Sequence, residues 1–214
     1  KKCDVMTFEI ESADAGALHT LEEEGKPVYP SSKTLSIIKD KYSQKIFLRE
    51  CGIPVADFLD VATKDDALFV VQEFSYPFLL KAKFDAYDGR GNALIREEAD
   101  IDPAFEKLSK SLLYAERFVP FIKELAVIVA RSTTGEIKTY PVVETVHKNN
   151  ICHIVSAPAV VSEDIQQRAR DVAYKAIDAL EGIGVFAVEL FLLESGEVVL
   201  NEIAPRVHNS GHYS

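Results

Sequence analysis

Two glutamates, Glu189 and Glu202, each stand alone in an apolar run with strand character, Val185–Leu193 and Val198–Ile203. An isolated carboxylate is costly to bury in such a setting. If Ser195-Gly196 is a two-residue hairpin turn, Glu194 faces Glu197, and counting inward sets Glu189 directly opposite Glu202. Like charges facing across strands weaken a sheet. A divalent cation between them reverses that sign, and oxygen ligands with room for phosphate suit magnesium. Taken singly, either glutamate is most simply a water-facing charge on a half-exposed sheet. Their shared registry, with Asn201 adjacent, points to the metal.

Three further groups could work beside such a cation. Lys81 stands in Pro77–Lys83 and feeds the run Tyr87-Asp88-Gly89-Arg90-Gly91-Asn92. A strand lysine followed by a glycine-bearing loop offers a point charge and backbone N–H groups to a phosphate chain. A solvent-side lysine and an ordinary Asp-Gly hairpin explain the same residues when they are considered alone, and the loop matches neither GxxxxGK[ST] nor GxGxxG. Glu116-Arg117-Phe118-Val119 ends one strand and Lys123-Glu124-Leu125 begins the next. The backbone there can pair with an adenine edge and Glu124 can accept from a ribose hydroxyl, although Glu116 and Glu124 also read as plain surface charges. Finally, Asn201–His212 gathers Arg206, His208, Asn209 and Ser210 just beyond the second glutamate, a density that suits an anionic substrate.

The elements that must position these residues follow from periodicity and punctuation. A strand over Asp4–Ile10 precedes a helix from Asp14 to Glu24 that ends at Gly25. A longer helix, capped by Ser31 or Ser32, carries Leu35, Ile38, Tyr42, Ile46 and Phe47 at helical spacing until Gly52-Ile53-Pro54. A strand at Val55–Val61, a helix capped by Thr63, a hairpin of Pro77–Phe84 with Ala93–Ile95, and a helix starting at Asp102-Pro103 complete a compact unit. From Leu113 an antiparallel meander is expected: Leu113–Val119, Lys123–Ser132, Ile137–His147 and Ile151–Ser156. A helix capped by Ser162 then leads to the two glutamate strands.

Bulk composition narrows the possibilities. The 214 residues are 47% hydrophobic, enough for a packed core, and the formal charge of −10 argues against a nucleic-acid groove. Cys3, Cys51 and Cys152 form no CxxC pair and fit neither a disulfide framework nor a zinc site, so a reducing, cytoplasmic setting is expected. No apolar run reaches the length of a membrane span, and no signal peptide is visible. Both ends look cut from a longer chain with flanking domains.

In order, a strand lysine, a glycine loop, a strand-end hinge with a following glutamate, and two carboxylates on adjacent strands resemble the ATP-grasp fold, an α+β class. Phe8-Glu9, Tyr87–Asn92, Tyr140-Pro141 with His147, and Asn201–His212 further resemble the N5-carboxyaminoimidazole ribonucleotide synthetase family. Glu144–Cys152 and the closing Ser-Gly-His-Tyr are similar to its fungal form, where the unit is fused to a mutase domain. That resemblance implies three parts: residues 1–54 as the end of a Rossmann-like domain with a linker helix, 55–112 as the ATP-grasp B domain or lid, and 113–214 as a truncated C domain.

The resemblance also implies roles. Lys41 and Lys81 would hold ATP phosphates under a loop of Ala86, Tyr87, Asp88, Gly89, Arg90, Gly91 and Asn92. Glu116, Arg117, Phe118 and Val119 would meet adenine, Glu124 the ribose, and His147 and Asn201 the nucleotide site. Glu189 and Glu202 would bind Mg2+, or Mn2+ in its place. Arg206, His208, Asn209 and Ser210 would contact bicarbonate, carboxyphosphate or the ribonucleotide. Ala86 stands where bacterial relatives often have glycine, and Lys41 where they often have arginine. The implied substrates are ATP, bicarbonate and aminoimidazole ribonucleotide, with no nucleic acid or membrane partner, in a homodimer or larger assembly. Another ATP-grasp carboxylate-amine ligase, or a nucleotide-binding module without catalysis, is the competing reading.

Overall fold

The structure, a computed structural model, describes residues 3–84, 91–148 and 151–213. Asp14 accepts from the amides of Gly16 and Ala17 and so starts α1 (Ala15–Glu23), which closes before Gly25 at φ +78°. The strand expected over Asp4–Ile10 reduces to one isolated parallel bridge, Met6 to Val28, because a parallel strand needs a neighbour running beside it.

The single helix expected from Ser31 to Gly52 is two helices. Ser31 caps α2 (Ser32–Lys39); Asp40 then leaves helical space, and its carboxylate accepts from the amides of Tyr42 and Ser43 to start α3 (Lys41–Glu50). Apolar spacing runs straight through Asp40, so only the capping residue marked the break.

Four strands form the first sheet: β1 (Phe58–Val61), β2 (Phe78–Ala82), β3 (Asn92–Ile95) and β4 (Leu113–Arg117), all antiparallel in the order β1-β4-β2-β3. The expected first strand is shorter at its start, where Val55 bridges Leu200 instead. α4 (Lys64–Phe74), opened by a Thr63–Asp66 capping box, and α5 (Ile101–Lys107) cover this sheet over a core that includes Val61, Val70, Phe78, Leu80 and Ile95. Sequence assigned β4 to the following meander. It pairs with β1 and β2, because strand character in a sequence says nothing about which neighbour a strand joins.

β5 (Phe121–Arg131), β6 (Ile137–Thr139), β7 (Val143–Lys148), β8 (Ile151–Ser156), β9 (Gly184–Leu193) and β10 (Val198–Ala204) make the second sheet, ordered β10-β9-β5-β7-β8 with β6 on β5. The strand expected over Ile137–His147 is split between β6 and β7, where Pro141 has no amide to donate. α6 (Glu163–Leu180), capped by Ser162, packs Ala169, Ala173, Ala176 and Ile177 against the sheet; the small side chains let it approach closely.

The β9–β10 hairpin corrects the sequence argument while keeping its result. The turn is a three-residue loop, Glu194–Gly196, with Gly196 at φ +83°, closed by Leu193 N–H donating to the Glu197 carbonyl. That register alone would set Asn201 opposite Glu189. A bulge between Leu200 and Glu202 takes up one residue, and Glu202 then pairs with Glu189.

β10 is an edge strand, and α3 covers its free side. Gln44 accepts from the Ile203 N–H at 3.0 Å and donates to the Ile203 carbonyl at 3.3 Å, standing in for a missing strand. Gln44→Leu leaves both backbone groups buried without partners. The expected loss is about 2 kcal/mol or more of unfolding free energy in urea.

Candidate active site

A cleft of about 290 Å3 is lined by residues of both sheets. Its floor comes from β9 and β10, one wall from β2, β3 and β4, and the other from β5, β7 and β8. Lys41, Lys81, Gly91, Asn92, Glu116, Glu124, His147, Glu189, Asn201, Glu202, Arg206, His208 and Asn209 all line it, so most of the candidates converge from elements far apart in sequence. Ala86, Tyr87, Asp88, Gly89 and Arg90 lie outside the described residues.

At one end sits a buried ionic trio. The Glu116 carboxylate faces the Lys45 ammonium at 2.7 Å on one oxygen and the Lys81 ammonium at 3.2 Å on the other. Burial alone raises a carboxyl pKa, but the two lysines outweigh it and hold Glu116 below its ordinary value. Burial pushes Lys45 the other way, below its usual range, against the pull of Glu116. Glu116 is therefore an interior counter-ion rather than a surface charge.

At the floor, Glu189 and Glu202 face each other as paired residues on β9 and β10. Burial, and then the Glu202 carboxylate, push Glu189 up to about 7. Burial acts on Glu202 as well, but Lys41, in contact with its carboxylate, dominates and lowers it. His208 lies 3.2 Å from Glu189 through Nε2, while its Nδ1 accepts from the Ser210 amide. Burial, followed by Arg206, lowers His208 to about 4, so the ring is a neutral imidazole, with Nδ1 accepting from the Ser210 amide and Nε2 beside the Glu189 carboxylate. The Asn201 Oδ1 is buried and has no hydrogen-bond partner. Among the described residues no group of three or more His, Cys, Asp or Glu is placed to hold a metal. Two carboxylates and an amide oxygen are a hard, oxygen-only donor set, which fits a magnesium-type ion that keeps water and phosphate among its ligands.

On the far wall, Glu124 and His147 make a short contact through the Glu124 carboxylate and His147 Nδ1. That hydrogen bond raises the His147 pKa against the opposing effect of burial. A raised pKa means the pair stabilises the fold fully below pH ~6.5 and loses that contribution as pH rises through the folded value. The His147 ring is expected to titrate above 6.5 by NMR and to fall to 6.5 or lower in Glu124→Gln. Leu79 and Phe191, the latter stacked on Phe121 at 4.5 Å, give this part of the cleft apolar faces.

Beyond the floor, Arg206 reaches Glu11 at 3.1 Å, and Glu11 itself lines the cleft. Burial, then the Glu202 charge, raise the Glu11 carboxyl pKa. Ser210 is buried beneath His208, bonded to Nδ1 at 3.0 Å, and does not line the cleft. Arg117, Phe118 and Val119 do not line it either. Arg117 turns to Asp57 and to the Glu73 and Phe74 carbonyls at the end of α4, and Phe118 is exposed.

Residues 46–214 match the ATP-grasp domain family. The chain belongs to the ATP-grasp family. Phosphoribosylaminoimidazole carboxylase of Ogataea methanolica is 46% identical over 215 residues, an alignment that takes in 100% of this chain and 40% of that protein. The structure of carboxyaminoimidazole ribonucleotide synthase from Aspergillus clavatus with ATP superposes with a TM-score of 0.96 at 45% identity, covering 100% of this chain and 56% of that one. An Aspergillus clavatus structure with ADP and 5-aminoimidazole ribonucleotide gives 0.93 at 43%, covering 99% and 55%. The chain thus spans between two fifths and just over half of the relatives' lengths.

Three cleft or near-cleft groups precede the segment matched to the ATP-grasp domain: Glu11, Lys41 and Lys45. Sequence reasoning found Lys41 only by resemblance and missed the other two. The signal for Lys45 was its spacing: Lys41, Gln44 and Lys45 fall on one face of α3. Glu11 carried no local signal.

Proposed function

We propose that this chain is the nucleotide- and metal-binding part of a ligase that uses ATP and bicarbonate to carboxylate the amine of 5-aminoimidazole ribonucleotide, giving N5-carboxyaminoimidazole ribonucleotide in de novo purine synthesis. The observation that carries this reading is the convergence in one cleft of Lys41 and Lys81, the facing Glu189 and Glu202, and the run Arg206-His208-Asn209. The aminoimidazole ribonucleotide bound in the Aspergillus clavatus structure supports the choice of acceptor.

In this reading Lys41, Lys81 and the loop 86–92 take the ATP phosphates, the backbone of 117–119, whose side chains lie outside the cleft lining, takes the adenine edge, and Glu124 and His147 take the ribose side. Glu189 and Glu202, with Asn201 beside them, hold Mg2+ or Mn2+, which supplies charge neutralisation at the transferring phosphate. Arg206, His208, Asn209 and, from behind, Ser210 hold bicarbonate. A bicarbonate oxygen attacks the γ-phosphorus, the bond to the β-γ bridging oxygen breaks, and ADP leaves with that electron pair. Lys81 and Arg206 offset charge as it spreads over the phosphoryl oxygens. The resulting carboxyphosphate splits into carbon dioxide and phosphate. The exocyclic amine adds to the carbon and loses a proton, giving the carbamate. Excluding water protects the intermediate, a role this reading gives to the glycine-bearing run 86–92 on its sequence alone.

No helix among the described residues is long and apolar enough to cross a membrane, and a cytoplasmic enzyme with a mutase domain in the parent chain completes the proposal. The test is isotopic. Bicarbonate labelled with 18O should pass one labelled oxygen to inorganic phosphate at each turnover. Unlabelled phosphate would mean that water, not bicarbonate, attacks ATP.

A further inference from the structure

Lys45 is 2% exposed and lies outside the cleft, yet it touches both halves of the site. Its ammonium faces Glu116 of β4 at 2.7 Å and donates to the Asn201 carbonyl of β10 at 3.2 Å. Lys81, on the cleft side of the same carboxylate, is 3.2 Å away from it and also lies over the Tyr114 ring at 5.9 Å. One carboxylate is therefore shared by two ammonium groups, and the trio carries one net positive charge. Nothing in the reaction above uses Lys45.

We propose that Lys45 is a positioning residue that takes up half of Glu116 and so leaves Lys81 free to meet an anionic phosphate; the inference rests on the nucleotide reading given under Proposed function. Without Lys45, Glu116 and Lys81 form a closed, neutral pair. The N–H donors of Lys81 then turn to the carboxylate, and the phosphate end of the cleft loses its surplus charge. A lysine that merely packs α3 against β10 would act differently: its loss would loosen the site whatever the charge on Glu116.

The experiment is calorimetric binding of a non-hydrolysable ATP analogue with magnesium to the full-length protein, with melting curves to establish the folded fraction. Lys45→Met is expected to weaken the analogue by about tenfold or more, the size of one lost charge-assisted contact. Lys45→Arg keeps the charge and retains most of the affinity. Lys45→Met combined with Glu116→Gln removes the captor along with its partner, and recovers most of the loss. A double variant as weak as Lys45→Met overturns the proposal, as does a Lys45→Met that binds like wild type. If Lys45→Met fails to fold because Glu116 loses a buried partner, the double variant still decides: binding within a few-fold of wild type is expected, and a loss of tens of fold overturns the proposal. A wild-type protein that ignores the analogue overturns the nucleotide reading itself.

Discussion

Glu202→Gln is expected to lower kcat for ADP release by about a thousandfold or more, equivalent to roughly 4 kcal/mol of transition-state stabilisation. The substitution keeps the shape of the side chain and removes the charge. Glu202 is the lower-pKa member of a facing pair whose other member, Glu189, is pushed up to about 7, so Glu202 is the carboxylate that stays ionised through neutrality. Its Lys41 partner lies on the cleft side, and the strand pairing that holds the residue is a backbone matter that glutamine does not disturb. Far-UV circular dichroism and the melting temperature should therefore stay near wild type while steady-state turnover collapses. A kcat within tenfold of wild type would remove Glu202 from the catalytic machinery.

Lys81→Met comes next, with kcat/KM for ATP falling by about a hundredfold or more. Both parameters should suffer, because the ammonium meets the phosphates in the ground state and more strongly as charge shifts during transfer. Lys83 provides an internal comparison two residues along the chain. Its ammonium pairs with Asp60 at 2.7 Å and lies 4.4 Å over the Tyr42 ring, away from the cleft lining. Lys83→Met is expected to change kcat/KM by less than about threefold, in keeping with the small worth of an ion pair whose carboxylate is exposed. Equal losses at the two positions would mean that β2 as a whole had been disturbed, and would contradict a specific role for Lys81.

The residues that sequence reasoning reached were those whose burial contradicts their chemistry within a single run. Glu189 and Glu202 interrupt apolar strands, and their facing registry could be counted from the turn. The count worked because two departures from a plain hairpin cancel: a three-residue turn and a bulge at Asn201, neither of which has a strong signature in residue types. Helix ends marked by Asp14, Thr63 and Ser162 were legible for the same local reason, namely that a side-chain oxygen must satisfy the first free amides.

What escaped was relational. Lys45 and Glu116 look like surface charges in their own segments, and it is their contact across α3 and β4, with Lys81 on the other carboxylate oxygen, that offsets their burial. Glu11 stands in an irregular stretch and reaches the cleft through Arg206, about two hundred residues away in sequence. β4 declared itself a strand but not its sheet. Apolar periodicity also carried across Asp40, hiding the break that aims Lys41 at Glu202 and Gln44 at the edge of β10.

We propose that this cleft spends ATP on bicarbonate in order to carboxylate the amine of aminoimidazole ribonucleotide. The most direct measurement is ADP release by the full-length wild-type protein with ATP, magnesium and bicarbonate, in the presence and absence of that ribonucleotide. Release that rises severalfold or more when the ribonucleotide is added, and that requires bicarbonate, is the predicted result. ATP binding with ADP release that the ribonucleotide leaves unchanged would contradict the account and assign the ATP-grasp site to a different acceptor.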